Sequence, residues 1–290
     1  MPPSAIANLR VVRSVSRTPI SFEELVATTS MADVVFVGEQ HDDPETHFAE
    51  FALLEGIGRR RNHVVLSLEM FERDVQPILD EYLGGRMSET DFLAKSRPWE
   101  RYATDYRALV MLARARGWRV IASNVPRPIA SAVSRQGLRA LDSLAVTSRA
   151  WVASELSCPH DAYFARFAQE MVGHVAAGGP PTVSDATQTA AMTDRFYEAQ
   201  CVKDETMGES VATALARAGD DGIVIHVTGA FHTDYGQGTA SKARRRNPGM
   251  RSVVITAIPS ADPASAPIDD AAVRADYVIF TKKSGGAIQK

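Results

Sequence analysis

Residues 33–41 read DVVFVGEQH: four consecutive apolar side chains, Val34, Val35, Phe36 and Val37, run straight into Gly38, Glu39, Gln40 and His41. A short β-branched run with no polar interruption is the pattern of a strand covered on both faces. Residues 47–57, HFAEFALLEGI, follow as a helix. The unit then recurs, with a strand at 63–68 and a helix at 75–83. A helix at 102–116 ends at Gly117 and leads into a strand at 118–122. The next helix, 128–136, begins on a proline, which suits a first turn because the missing N–H has no intrahelical acceptor there. Such alternation predicts an α/β fold, a mainly parallel sheet with helices on both faces.

The middle of the chain departs from this rhythm. Residues 148–216 carry no strand pattern, only helical pattern broken at Gly178-Gly-Pro-Pro181. The second half reads as one long helix capped by Ser184 or Asp185, with Met192, Phe196, Met207, Val211 and Leu215 on its core face. Strand patterns resume at 223–227, 251–257 and 276–281, and 258–268 reads as a loop. The expected organisation is a first part of an α/β core over 1–147, a helical insertion (cap) with the long helix over 148–217, and the second part of the core over 218–290.

Composition narrows the classes. With 290 residues, 45% hydrophobic, 23% charged, 19 Gly and 15 Pro, the chain is neither disordered, collagenous nor a disulfide scaffold. A formal charge of -3, from 32 basic against 35 acidic residues, offers no global attraction for nucleic acid or an anionic membrane. Cys158 and Cys201 are too few for a zinc cluster and can form at most one bridge. The first twenty residues lack the apolar stretch of a secretory signal, and no apolar run approaches the ~20 residues of a membrane span. A cytoplasmic protein with no transmembrane segment is expected on the chain as given, and a periplasmic or envelope protein if a leader has been trimmed.

Reactive side chains collect where the predicted strands end: Glu39 and His41 after the first, Glu69 after the second, Asn124 after the third, and Gly229-Ala-Phe-His232 after a fourth. In an open α/β sheet the crevice beyond the carboxyl ends of the strands is the ligand site. Singly, Glu39 reads as a helix cap and His41 as a loop residue. Together, two histidines and two carboxylates suit water activation. Either a His held by a Glu does this directly, or a divalent metal on His41, Glu69 and His232 does. Residues 233–239, TDYGQGT, bring Tyr235, Gly236 and Gly238 beside Gly229, offering backbone amides to an oxyanion or a planar ligand. His47, on the first predicted helix six residues beyond His41, is a candidate to face the same mouth. His63 and His226 read as structural, and the basic run 242–246 as a solvated face.

Several stretches carry a resemblance in the same order: FEELVATTSMADVVFVGEQHDDPETH, LSLEMFERDVQPILDEYLGG, WERYATDYRALVMLARARGWRVIASNVPRPIA, FYEAQCVKDETMGESVA and VTGAFHTDYGQG. They are similar to the haem-binding uptake family named after ChaN, in the superfamily that also holds the Tiki proteases, the erythromycin esterases and the TraB proteins. The paired G-x-x-H pattern with an intervening glutamate falls on His41, Glu69 and His232, which implies that these three and Glu39 share one pocket. The ChaN-like members are haem binders of iron acquisition, usually exported or lipid-anchored, with tyrosine ligating iron. The esterases and Tiki proteases are hydrolases. For haem, the helical insertion supplies Tyr163, Met171 and His174 as contacts, with a homodimer clamping the porphyrin. Tyr163, Phe167 and Met171 also stand at i, i+4 and i+8, the spacing of a packed helix face. The expected function is hydrolysis of an ester or amide in a small molecule or peptide. The alternatives are a non-catalytic haem binder and an inert peptide-binding pocket.

Overall fold

A computed structural model describes Ile6, residues 9–177 and residues 186–283, with the backbone alone for 172–177 and 186–187. Eight strands form one sheet: β1 (Arg10–Arg13), β2 (Thr18–Ile20), β3 (Val34–Glu39), β4 (His63–Glu72), β5 (Arg119–Asn124), β6 (Gly222–Gly229), β7 (Ser252–Ser260) and β8 (Tyr277–Lys282). Their order is β2-β1-β8-β7-β3-β6-β4-β5. From β8 to β5 every neighbouring pair is parallel, while β1 runs antiparallel to β8 and β2 antiparallel to β1. The α/β fold with a mainly parallel sheet is therefore present. The β1–β2 edge hairpin is an addition to the sequence reading, since neither strand has more than two adjacent apolar residues to announce it.

The central strand shows why both faces are covered. Successive side chains alternate across a sheet. Val35 and Val37 of β3 enter one core with Leu53, Leu54 and Ile57 of α2 (Pro44–Gly58), below α1 (Phe22–Thr29). Val34 and Phe36 enter the opposite core with Val211 and Ala214. Helices α3 (Gln76–Leu83), α4 (Glu89–Ser96) and α5 (Arg107–Arg116) complete the first side. Asp43 caps α2, accepting from the Thr46 amide at 2.9 Å and from Thr281 Oγ1 at 2.9 Å, which ties the loop after β3 to β8.

The helix expected over 102–116 opens instead with a π-helical turn, Tyr102–Tyr106, that buries Tyr102, Asp105 and Tyr106 before α5 begins. Among the described residues no strand lies between β5 and β6. That stretch holds α6 (Arg127–Gln136), α7 (Ala162–Ala177) and the 33-residue α8 (Ala186–Ala218). Cys158 and Cys201 form a disulfide that fastens the segment before α7 to α8. The expected break at 178–181 and the caps Ser184 and Asp185 lie outside the described residues. On α8 the expected face is only partly right. Met207 and Val211 are buried, but Met192, Phe196 and Leu215 are half-buried, and Tyr197, Cys201 and Val202 share the buried side.

The basic run 242–246 belongs to α9 (Gly238–Arg246) and is not a solvated face. Lys242, Arg245 and Arg246 converge on the fully buried Glu205 of α8 at 3.3, 2.7 and 2.6 Å. A buried carboxylate needs such partners, and α8 and α9 are pinned together by them.

Candidate functional site

Strand register places the first groups. Glu39 of β3 pairs with Gly229 of β6, and Leu68 of β4 pairs with Val227 on the other side of β6. Beyond Leu68 the β4–β5 ladder shifts, so that Leu68 faces Ala122 but Glu72 faces Asn124. Glu69 begins this bulge, a device that re-aims side chains at sheet rims. Its Oε2 accepts hydrogen bonds from Thr228 Oγ1 at 2.5 Å and from the Gly229 amide at 2.8 Å.

Two histidine–carboxylate pairs result. His41 bonds through Nδ1 to Oε1 of the buried Glu39, which also accepts from the Tyr106 hydroxyl at 2.7 Å. The His41 ring is 47% exposed and stands edge-on to Trp99 with centroids 4.9 Å apart. Burial pulls its pKa down, yet the Glu39 hydrogen bond and charge outweigh that and raise it. The buried His232 bonds through Nδ1 to Asp204 Oδ1 at 2.8 Å, and its Nε2 lies 3.4 Å from Glu69 Oε1. Burial again opposes the charged form, but the Glu69 and Asp204 carboxylates prevail and lift His232 to about 10. Glu69 answers in kind: burial would raise it, and the His232 charge instead holds it well below its ordinary value. The site therefore combines one accessible imidazole ring with a buried one whose charged form two carboxylates favour.

Both open on a cavity of about 690 Å³ whose wall also carries Arg166, Met171, Gly229, Tyr235 and Arg274. The Arg166 guanidinium lies over the Phe231 ring at 4.1 Å and the Tyr235 ring at 5.0 Å. Tyr235 is 45% exposed, with a left-handed backbone φ of 63°.

Other expected residues fall elsewhere. Asn124 borders a neighbouring depression with Glu69 and Lys203. Gly236 and Gly238 stay off the cavity wall, and a Cβ on Gly238 would stand 2.5 Å from the His232 carbonyl oxygen, so this glycine permits close packing under the site. Tyr163 is buried with its hydroxyl donating to Asp204 Oδ2 at 2.7 Å, and so braces His232 rather than facing the cavity. The side chain of His174 lies outside the described residues. His226 is buried in the sheet against Ser67 Oγ at 3.0 Å, and burial pushes it down to about 4.

Sequence reasoning missed Asp204, Tyr106, Glu50 and Arg166. Beneath Glu39, His47 Nδ1 lies 3.1 Å from Glu50 Oε2 and 3.6 Å from Glu39 Oε2. Burial first, and then the Glu39 charge, raise Glu50 well above its ordinary value. Among the described residues, the trio of metal-type ligands whose donor atoms all lie within 4.8 Å of one another is Glu39, His47 and Glu50. The expected set of His41, Glu69 and His232 does not close up in this way.

An α/β protein with a ligand cavity at the carboxyl end of its sheet, flanked by two histidine–carboxylate pairs, is the class that fold and site define. The chain belongs to the family described as "Haem-binding uptake, Tiki superfamily, ChaN", whose model matches residues 25–242. It is 25% identical over 238 residues to Protein RETICULATA-RELATED 5, chloroplastic, of Arabidopsis thaliana, covering 77% of this chain and 31% of that protein. The chain thus spans about a third of that relative's length. Its fold is similar to that of Campylobacter jejuni ChaN, described as binding heme cofacially, with a TM-score of 0.68, 15% identity, and coverage of 94% of this chain and 97% of that one. It is also similar to a mutant of erythromycin esterase EreC in its open conformation, with a TM-score of 0.52, 13% identity, and coverage of 97% and 100%. Among the described residues no helix is long and apolar enough to cross a membrane.

Proposed function

We propose that the chain is a hydrolase of an ester or amide bond in a small molecule or short peptide. The observation that carries this reading is the His41–Glu39 pair, with an accessible ring backed by a buried carboxylate and faced by the positive charge of His232. With Nδ1 held by Glu39, the Nε2 of neutral His41 takes a proton from water as the water oxygen bonds to the substrate carbonyl carbon. The carbonyl π electrons move to oxygen, and the His232 imidazolium stabilises that oxyanion electrostatically. Collapse breaks the bond to the alcohol or amine, which leaves with the proton from His41. His41→Ala and Glu69→Gln are expected to lower turnover of an ester panel at least ~100-fold with the fold kept. Wild-type rates in both variants would overturn the reading.

A second reading, haem as cargo, rests on the family and on the donors at the cavity mouth. Tyr235 and Met171 face the cavity with ligand atoms suited to iron, and Arg166 and Arg274 are cations suited to the porphyrin carboxylates. A Soret titration with haemin separates the two. A stoichiometric spectral change lost in Tyr235→Phe supports haem, whereas no change leaves the hydrolase reading alone. Saturable peptide binding without turnover or a Soret change would indicate the inert pocket, and sedimentation with and without haemin tests the homodimer. The Cys158–Cys201 disulfide supports an oxidising compartment over the cytoplasmic one expected from the sequence.

A further inference from the structure

We propose that Glu39, His47 and Glu50 form a buried site for one divalent transition-metal ion, a layer beneath the His41 ring and separate from the expected ligands His41, Glu69 and His232. The orientation of the His47 ring carries the argument. Its Nε2 lies 3.2 Å from the backbone carbonyl of His41, with Asp105 Oδ2 at 3.5 Å. A carbonyl oxygen only accepts, so Nε2 bears the proton, and in the neutral ring Nδ1 is a lone pair. That lone pair faces two carboxylate oxygens, Glu50 Oε2 at 3.1 Å and Glu39 Oε2 at 3.6 Å. Three electron-rich atoms so placed repel one another unless a proton or a metal cation stands among them, and the set can hold either.

Two further observations converge. Glu39 Oε2 and Glu50 Oε1 are buried with no hydrogen-bond partner, a costly state for carboxylate oxygens. The ion pairs of Glu39 and Glu50 among the described residues are with histidine alone, while the nearby Asp105 is answered by Arg101 at 2.6 Å. A single imidazole with two carboxylates suits zinc, manganese or iron better than magnesium or calcium. The His47 N–H on a backbone carbonyl is the outer bond that fixes a metal-binding tautomer. Donors about 2.1 Å from one ion stand at most about 4.2 Å apart. The trio's donor atoms all lie within 4.8 Å of one another, with His47 Nδ1 at 3.1 and 3.6 Å from the two carboxylate oxygens, so only a small closure brings them onto one ion. An ion there would also lock Glu39 behind His41.

The test uses the full chain, stripped by chelator, with free Mn²⁺ followed by electron paramagnetic resonance and Zn²⁺ by competition. One equivalent bound is expected. Glu50→Gln and His47→Gln should each weaken binding at least about tenfold, and Glu69→Gln and His232→Asn should leave it within about twofold. Circular dichroism checks each fold, and if His47→Gln unfolds, Glu50→Gln alone decides. Absence of a stoichiometric site for either ion overturns the proposal, as does binding that survives Glu50→Gln and is lost in Glu69→Gln. The readout is metal binding, so failure of the ester assay leaves this site standing, and failure here leaves the hydrolase reading standing.

Discussion

Gly229 sets the tolerance of the site, because a Cβ there would stand 2.8 Å from His41 Nε2 and 3.0 Å from its Cε1. Gly229→Ala must therefore move the ring off Glu39. Ester turnover is expected to fall by at least ~10-fold with little change in melting temperature, and unchanged turnover would count against the placement of His41. Asp204 is the second sensitive residue. It accepts from Tyr163 and Thr239 and pairs with His232. Removing it as Asp204→Ala leaves a buried imidazolium half-paired and should cost about 3–5 kcal/mol in urea unfolding. Glu39, His41, Glu69 and His232 were readable from sequence because each ends an apolar strand or follows it closely. Asp204 and Tyr106 reach in from helices far away in sequence, where no strand end marks them. The available signal for Asp204 was a carboxylate sharing a helix face with Met207 and Val211, a face otherwise read as core.

At the scale of elements, the disulfide is the staple of the helical region. Cys158 and Cys201 are separated by 43 residues, so the bridge removes denatured-chain entropy worth about 4 kcal/mol in the chain-entropy model. Cys158→Ser, or reduction with dithiothreitol, should lower the melting temperature by several degrees, and proteolysis should then begin in the segment before α7. Identical melting with and without reductant would contradict the pairing. Sequence could state that two cysteines allow one bridge but not that they meet, since pairing depends on how the helical region folds back. The π-helical turn at Tyr102–Tyr106 was illegible for a related reason. Its residues have ordinary helical spacing, and only burial of Asp105 and Tyr106 beside Glu39 and His47 shows why the turn widens. The run 242–246 was misread because its acidic partner, Glu205, is a single residue on another helix.

Across the whole molecule, one sheet is assembled from both ends of the chain, and the parts of the candidate site from 39–69 and 229–232 meet only because β6 inserts between β3 and β4. The βα alternation made that sheet legible, whereas strand order depends on crossovers that composition does not encode. Assembly through buried charge gives the fold a pH signature. The folded His232 has a pKa raised to about 10 from 6.5, so the stability it contributes is full below pH 6.5 and is lost as pH rises toward 10. The raised values of His41 and Glu50 act in the same direction as pH rises. The urea midpoint should fall between pH 6.5 and 10, with a shallower fall in His232→Asn, and a midpoint flat over that range would argue against a charged His232. The central claim is that a buried imidazolium faces an accessible imidazole across the cavity, and imidazole ¹⁵N nuclear magnetic resonance of the whole chain tests it most directly. Both His232 nitrogens should remain protonated up to about pH 10. Loss of a His232 proton near the ordinary value of 6.5 would contradict the claim.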